Sequence, residues 1–262
     1  MVGSNGFQGI QSVARAMSIL ELFSDKRPSL SISEVADLTG LNRATIYRFC
    51  QTFRQLGYLE ELADRRFRPG LKAISLAHSA LSSRELPELA LPYLERLRTE
   101  INETVNMGLL DDTEVVYVAR VLSDHLISLR LYVGSRLPAY ASSLGRAMLA
   151  FLPEDEAMRI IDRSDLVHIT AHTIVDPKRL RTELRRIRKQ GFAFNDQEIA
   201  NGLRGVAAPV LTNEGRPIAA INVSIPHPLK GPEEIREVLA PKVIATADEI
   251  GRLASKVAPN HG

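Results

Sequence analysis

Residues 32 to 51, ISEVADLTGLNRATIYRFCQ, constrain this chain more than any other stretch. Ala36, Gly40 and Ile46 stand where two helices crossing at a sharp angle need a small contact residue, a turn residue free to take positive φ, and an apolar anchor. Ser31 and Glu34 have the spacing of a capping box for the first helix, and Asn42 is a natural N-cap for the second. Over residues 42 to 56 the second helix gathers Ile46, Phe49, Cys50, Phe53 and Leu56 on one stripe. Ala44, Arg48, Gln51 and Gln55 then point the other way, flanked by Thr45, Tyr47 and Thr52, with Arg43 near the positively charged first turn.

After Gly57, Tyr58 to Leu62 reads as a strand, Ala63-Asp64 as a tight turn, and Arg65 to Arg68 as a returning strand closed by Pro69-Gly70. Phe67 supplies an inward anchor. Upstream, Val13, Met17, Leu20 and Phe23 form a helical stripe expected to cover the back of the unit. Residues 10 to 70 thus read as a winged helix-turn-helix, whose second helix enters the DNA major groove N-terminus first. Asn42, Arg43, Thr45, Tyr47, Arg48 and Gln51 are the candidates for bases and nearby phosphates, and Arg65, Arg66 and Arg68 for the flanking backbone, where charge rather than sequence is recognised. An ordinary amphipathic surface helix beside a soluble hairpin is the plain alternative.

The 262 residues are enough for two cores, and 45% hydrophobic with 24% charged content belongs to a folded soluble protein, not a disordered one. No apolar run approaches the roughly 20 residues that span a bilayer. The start MVGSNGFQG lacks a basic segment and an apolar signal core, so a cytoplasmic location is expected. A single cysteine, Cys50, excludes an internal disulfide, and its apolar stripe suits a packed small hydrophobe better than a redox sensor. The formal charge of +2 is unevenly placed: the first 80 residues hold ten Lys and Arg against seven Asp and Glu, which leaves −1 for the remainder.

Residues 71 to 86 read as a linker helix, with Leu71, Ile74 and Leu81 among small alanines that permit close approach to a partner helix or to the chain's own domain. The break at Ser82 to Pro87 places the second domain at 87 to 257. There Thr104 to Leu110, Val115 to Val121 and Leu126 to Val133 read as strands, and Gly145 to Leu152, Glu154 to Asp162 and Asp176 to Gln190 as helices. Arg204 to Leu211 and Arg216 to Ile225 pair across Thr212 to Gly215, and a last helix runs from Pro232 to Val257. The whole is of the α+β class, with a largely antiparallel sheet in the second domain.

The common catalytic and nucleotide-binding motifs are missing, so no catalytic residue, cofactor or metal is expected. His168 and His172 are four apart, but the β-leaning residues around them argue against a helical metal pair. Ser142 or Ser143 would cap the helix at Gly145 and leave amides facing an anion, or merely cap. Asn222 and Ser224 share one face of an apolar strand and either meet solvent or line a cavity, the latter being favoured beneath helices.

The order Gln11-Ser12-Val13 with Arg15-Ala16, the winged unit, Pro138 with Ala141-Ser142 and Gly145-Arg146-Ala147, Asp196-Gln197-Glu198 with Gly202-Leu203-Arg204, and Ala219 to Ser224 resembles the IclR family of bacterial transcription regulators. The resemblance covers residues 10 to 257, and Val116 to Val121 with Tyr140-Ala141-Ser142 is most similar to the subgroup controlling protocatechuate, 4-hydroxybenzoate and β-ketoadipate catabolism. It implies a homodimer or dimer of dimers on an inverted-repeat double-stranded DNA operator, no membrane, and a GAF-like effector-binding domain that takes a small carboxylated metabolite. The implied pocket positions are Leu126, Leu129, Ser143, Leu144, Asn195, Leu203, Gly205, Asn222 and Ser224. Asn195 replaces an acidic residue and Gly205 a cysteine of the glyoxylate- and pyruvate-responsive pattern, which implies a roomier, less acidic pocket. The other function class is an enzyme acting on a small organic acid with an accessory DNA-binding domain, for which Asp196 and Glu198 are the only acid or base candidates.

Overall fold

The computed structural model describes residues 9–124 and 131–257, and the chain divides into two compact units, Met1–Ser83 and Arg84–Gly262. The first holds α1 (Gln11–Leu20), α2 (Ile32–Thr39), α3 (Arg43–Gln55), the hairpin β1 (Leu59–Glu61) and β2 (Phe67–Pro69), and α4 (Lys72–Ser82). α2 opens on the capping box: the Glu34 amide donates to Ser31 Oγ at 3.3 Å, and the Ser31 amide to Glu34 Oε2 at 2.7 Å. Gly40 ends α2 at φ 71 with nothing near the place of a Cβ, so backbone conformation rather than space calls for glycine. Asn42 Oδ1 then accepts the Thr45 amide at 2.8 Å and starts α3. Ile46, Cys50 and Phe53 of α3 meet Ile19, Val35 and Phe67 in the core. Burial first, and the charge of Glu61 second, push the Cys50 thiol up to about 11, so it remains protonated and inert.

Three local expectations are corrected. α1 buries Ile19 rather than Val13 and Met17, which are 55% and 45% exposed, because the helix ends at Leu20 and Phe23 lies beyond it. The returning wing strand begins at Phe67; Arg65 instead sits in the turn at φ 63, where the Arg65 amide donates to Leu62 O at 2.9 Å. The stretch expected as a linker helix contains α4 and the start of α5 (Glu85–Ile101), because Pro87 occupies the third helical position, where a missing amide costs nothing.

The second unit follows α5 with β3 (Thr104–Asp111), β4 (Glu114–Val121), β5 (Arg136–Pro138), α6 (Ser143–Leu149), α7 (Glu154–Arg163), α8 (Pro177–Gln190), β6 (Ala193–Asp196), β7 (Leu203–Leu211), β8 (Pro217–Pro226), α9 (Pro232–Glu234) and α10 (Ala240–Val257). The six strands form one antiparallel sheet in the order β5-β4-β3-β8-β7-β6. α5 and α10 pack together against one face, and α6, backed by α7 and α8, covers the other. Residues 125 to 130 of the expected strand Leu126 to Val133 lie outside the described residues, and Leu131 to Val133 form no strand. They lead to Gly134 at φ 96 and the short edge strand β5. Between α9 and α10 the helix widens into a π-turn at Ile235–Leu239. Pro241 follows two residues after Leu239, with no amide to donate and a ring that crowds the carbonyl of Glu237.

Ser142 caps α6, its Oγ accepting the Gly145 amide at 3.0 Å. Gly145 lets α6 lie directly on the backbone of Ala139, where a Cβ would collide with atoms that cannot move aside. Gly145→Ala is therefore expected to destabilise the second unit by about 3 kcal/mol, the upper end of overpacking costs. Urea denaturation followed by the second unit's transition checks this; a change within 0.5 kcal/mol ~ would refute the close approach.

Candidate functional site

The capped start of α3 leaves Arg43, Tyr47 and Arg48 exposed, with Thr45 half-buried beside them. This face has the side chains a duplex would meet first, and Tyr47 is 54% exposed although aromatic. The remaining candidates are more constrained. Asn42 spends its Oδ1 on the cap, and Gln51 Nε2 donates to Glu61 Oε2 at 3.3 Å, which Arg54 also holds. Arg66 donates through Nε to Ser29 Oγ at 3.0 Å and through Nη2 to Ser29 O at 2.7 Å, and its Nη1 pairs with Glu34 at 3.0 Å. Arg68 pairs with Glu60 across the hairpin at 2.7 Å. Among the described residues of the wing, Arg65 at the tip is the arginine without such an internal partner. The expectation of three equivalent wing cations is corrected accordingly: carboxylates on β1 and α2 claim two of them.

In the second unit a cleft of about 330 Å3, its open mouth included, lies between α6 and the sheet. Ser143, Asn195, Leu203, Gly205, Asn222 and Ser224 all line it. The polar pair on β8 therefore faces a cavity: Asn222 Nδ2 donates to Ser143 Oγ at 3.2 Å, while Asn106 Nδ2 donates to Asn222 Oδ1 at 2.8 Å and Ser224 Oγ at 3.1 Å. Leu144 is corrected, because its side chain turns into the core and packs over Gly108. Leu126 and Leu129 lie outside the described residues. Ser142 lines it too, and Tyr117, Leu131, Leu137, Ile199 and Arg204 complete the lining and were not foreseen. They come from strands and loops far apart in sequence; a polar Arg204 beside the implied Leu203 and Gly205 was the only local hint.

The departures at Asn195 and Gly205 do not simply enlarge this space. A Cβ at Gly205 would come within 3.0 Å of Ser143 Oγ, so the serine already fills the place of the missing side chain. Asn195 has its amide engaged on both sides, donating to Ala141 O at 2.6 Å and accepting the Glu198 amide at 3.1 Å. Glu198 itself is buried and meets Arg146 in a two-armed pair at 2.5 Å on each side, while Arg146 Nε donates to Tyr140 O. Asp196 pairs with Arg204 at 2.8 Å; burial alone would raise its carboxyl, but the guanidinium holds it below the usual range. Both acids considered for catalysis are thus tied to arginines. His168 and His172 lie in a loop that Thr170 and Thr173 pin by donating to Gln197 O and Glu198 O at 2.8 and 2.7 Å.

Residues 12–63 match the family model described as the IclR helix-turn-helix domain, and residues 78–252 that described as the bacterial transcriptional regulator IclR C-terminal. The Pca regulon regulatory protein of Pseudomonas putida is 35% identical over 81% of this chain and 73% of its own length. The p-hydroxybenzoate hydroxylase transcriptional activator of Acinetobacter baylyi is 30% identical over 93% and 92%. Among solved structures, an IclR homolog complexed with 4-hydroxybenzoate from Microbacterium hydrocarbonoxydans aligns with a TM-score of 0.77 at 25% identity, covering 92% of this chain and 99% of that one.

Removing one partner of the buried pair strands the other. Glu198→Ala is expected to cost about 3 to 5 kcal/mol, and the double replacement of Arg146 and Glu198 by methionine much less, since no uncompensated charge remains. Comparing the urea midpoints of both variants checks this, and equal losses would show that the pair acts through packing alone.

Proposed function

Because the chain belongs to the IclR family of bacterial transcriptional regulators, we propose that its DNA binding or promoter activity is controlled by a small carboxylated metabolite of aromatic-acid catabolism. The observation that carries the effector reading is the cleft. Its wall combines apolar residues with convergent serine and asparagine groups, the make-up of a small-ligand pocket. The relatives named for the Pca regulon and for p-hydroxybenzoate hydroxylase, and the homolog holding 4-hydroxybenzoate, support an aromatic acid over a two- or three-carbon one.

The DNA-reading residues of this proposal are Arg43, Thr45, Tyr47 and Arg48 for the groove, helped by Asn42 and Gln51, with Arg65 first among the wing cations. α4 buries none of its residues, and Leu71 just before it and Ile74 and Leu76 on it are 73%, 64% and 58% exposed, as is much of the apolar side of α1. Such surfaces support a homodimer or dimer of dimers, which would set two reading helices on an inverted repeat. The effector then acts by favouring one arrangement of the heads, a coupling of about 1 to 3 kcal/mol in typical cases. Among the described residues no helix is long and apolar enough to cross a membrane.

Two outcomes are expected. In anisotropy titrations with fragments of its own promoter, Arg48→Ala should change the ranking of duplexes, whereas Arg65→Ala should weaken all of them alike and lower the salt slope by about one. Wild-type affinities in both variants at every salt concentration would remove α3 and the wing from the interface. In thermal unfolding, protocatechuate, 4-hydroxybenzoate or β-ketoadipate should raise the midpoint, since a ligand bound only by the folded state stabilises it, while glyoxylate and pyruvate should not. The reverse pattern would reassign the effector, and conversion of any acid to product would favour the enzyme.

A further inference from the structure

Among the buried side-chain atoms of the described residues, Asn106 Oδ1 and Arg120 Nη1 have no hydrogen-bond partner. The two residues stand directly opposite each other on β3 and β4, and Asn106 is opposite Asn222 on β8, so all three side chains leave the same face of the sheet. The pairing of β3 with β4 shifts register beyond Met107, leaving Val118 as an extra residue. That bulge brings Tyr117 and Arg120, three apart, to one face, which plain alternation would forbid. The Arg120 guanidinium lies 5.9 Å from the Tyr117 ring, and Tyr117, Asn222 and Ser224 line the cleft.

Each orphan is of a kind that chains rarely leave unmet. Asn106 is fully enclosed, and its Nδ2 is already used by Asn222 and Ser224, so the carbonyl oxygen is the end left over. Arg120 keeps its charge whatever its surroundings, and among the described residues no carboxylate pairs with it. Burial lowers its pKa, in the direction expected for a cation that has given up water without gaining an anion. A donor and an acceptor face each other across two strands, and neither satisfies the other.

We propose that Arg120 and Asn106, which stand on the same sheet face just behind the lining residues Tyr117, Asn222 and Ser224, become the recognition end of the cleft when an effector enters: Arg120 Nη1 receives an effector carboxylate and Asn106 Oδ1 accepts the proton of a hydroxyl on the same molecule. The ligand class is therefore a hydroxylated monocarboxylic acid rather than an unsubstituted one. This rests on the effector reading above and adds residues that the family resemblance did not supply. The half-buried cation, with its enclosed Nη1 unpartnered, also makes the empty protein less stable than a neutral side chain would, and binding removes that handicap.

The test uses the full chain, with benzoate, 3-hydroxybenzoate, 4-hydroxybenzoate and protocatechuate as probes in calorimetric titration. Wild type should bind at least one hydroxylated acid about fivefold or more tighter than benzoate, the discrimination expected of a buried acceptor left unmet. Arg120→Met should lose roughly tenfold or more of that affinity, as the charge-assisted bond is gone. Without ligand, the same variant should unfold about 2 °C higher than wild type, because it replaces a half-buried cation, whose enclosed Nη1 has no partner, by an apolar chain of similar length. If wild type binds an acid and Arg120→Met binds it equally, or if the unliganded variant melts lower, the assignment to Arg120 is overturned while the effector reading stands. Equal affinities for benzoate and all three hydroxylated acids would overturn the role of Asn106. If wild type binds none of the four, this assignment falls, and the effector reading falls with it if β-ketoadipate also leaves the thermal midpoint unchanged.

Discussion

The buried pair of Arg146 and Glu198 is the contact on which the ligand side of the second unit depends. Arg146 is 1% exposed, and every arm of its guanidinium is engaged: Nε on Tyr140 O, and Nη1 and Nη2 on the two carboxylate oxygens. Glu198 in turn accepts the Ile174 amide at 3.0 Å. Two charges so far from water contribute little net stability relative to an apolar pair, but they tolerate only one geometry. That geometry joins α6, the loop after α7 and the turn between β6 and β7. The walls of the cleft follow from it, since Ser142 and Ser143 start α6, Asn195 lies on β6 and Ile199 and Leu203 lie across the same turn.

Much of the first unit is legible along the chain because its determinants are local. Ser31, Glu34, Gly40 and Asn42 act within four residues of themselves, and the apolar stripe of α3 repeats at the helical period. The wing strands were legible in kind but not in extent, since the left-handed Arg65 shortens the return strand without any glycine to mark it. The helix α5 was missed for the opposite reason: Pro87 looks like a breaker and is harmless in a first turn. For the cleft, the pair Asn222 and Ser224 could be read from alternation along β8, as could the cap at Ser142. The inward faces of Tyr117 and Arg120 could not, because a bulge is a property of two paired strands and not of either one. Nor could the filling of the Gly205 space by Ser143, a contact between residues 62 positions apart ~ in sequence.

The head shows the same economy of charge in reverse. An excess of basic residues invites the reading that each meets phosphate, yet Arg66 and Arg68 are held by Glu34 and Glu60. Glu34 is also one half of the capping box, and the Ser31 backbone amide, ahead of its hydroxyl and of Arg66, holds its carboxyl below the ordinary range. One carboxylate therefore ties the start of α2 to the turn of the wing. The hairpin, whose strands are three residues each, is oriented by the pair of Glu34 and Arg66 together with the buried Leu59 and Phe67 and the backbone pairing of Phe67 with Leu30. The cations left for a duplex are those on the open face of α3 and at the hairpin tip. A positioned wing with one free arginine is a better guide for a neighbouring helix than a mobile wing with three, because orientation and not total charge decides which base edges that helix can reach.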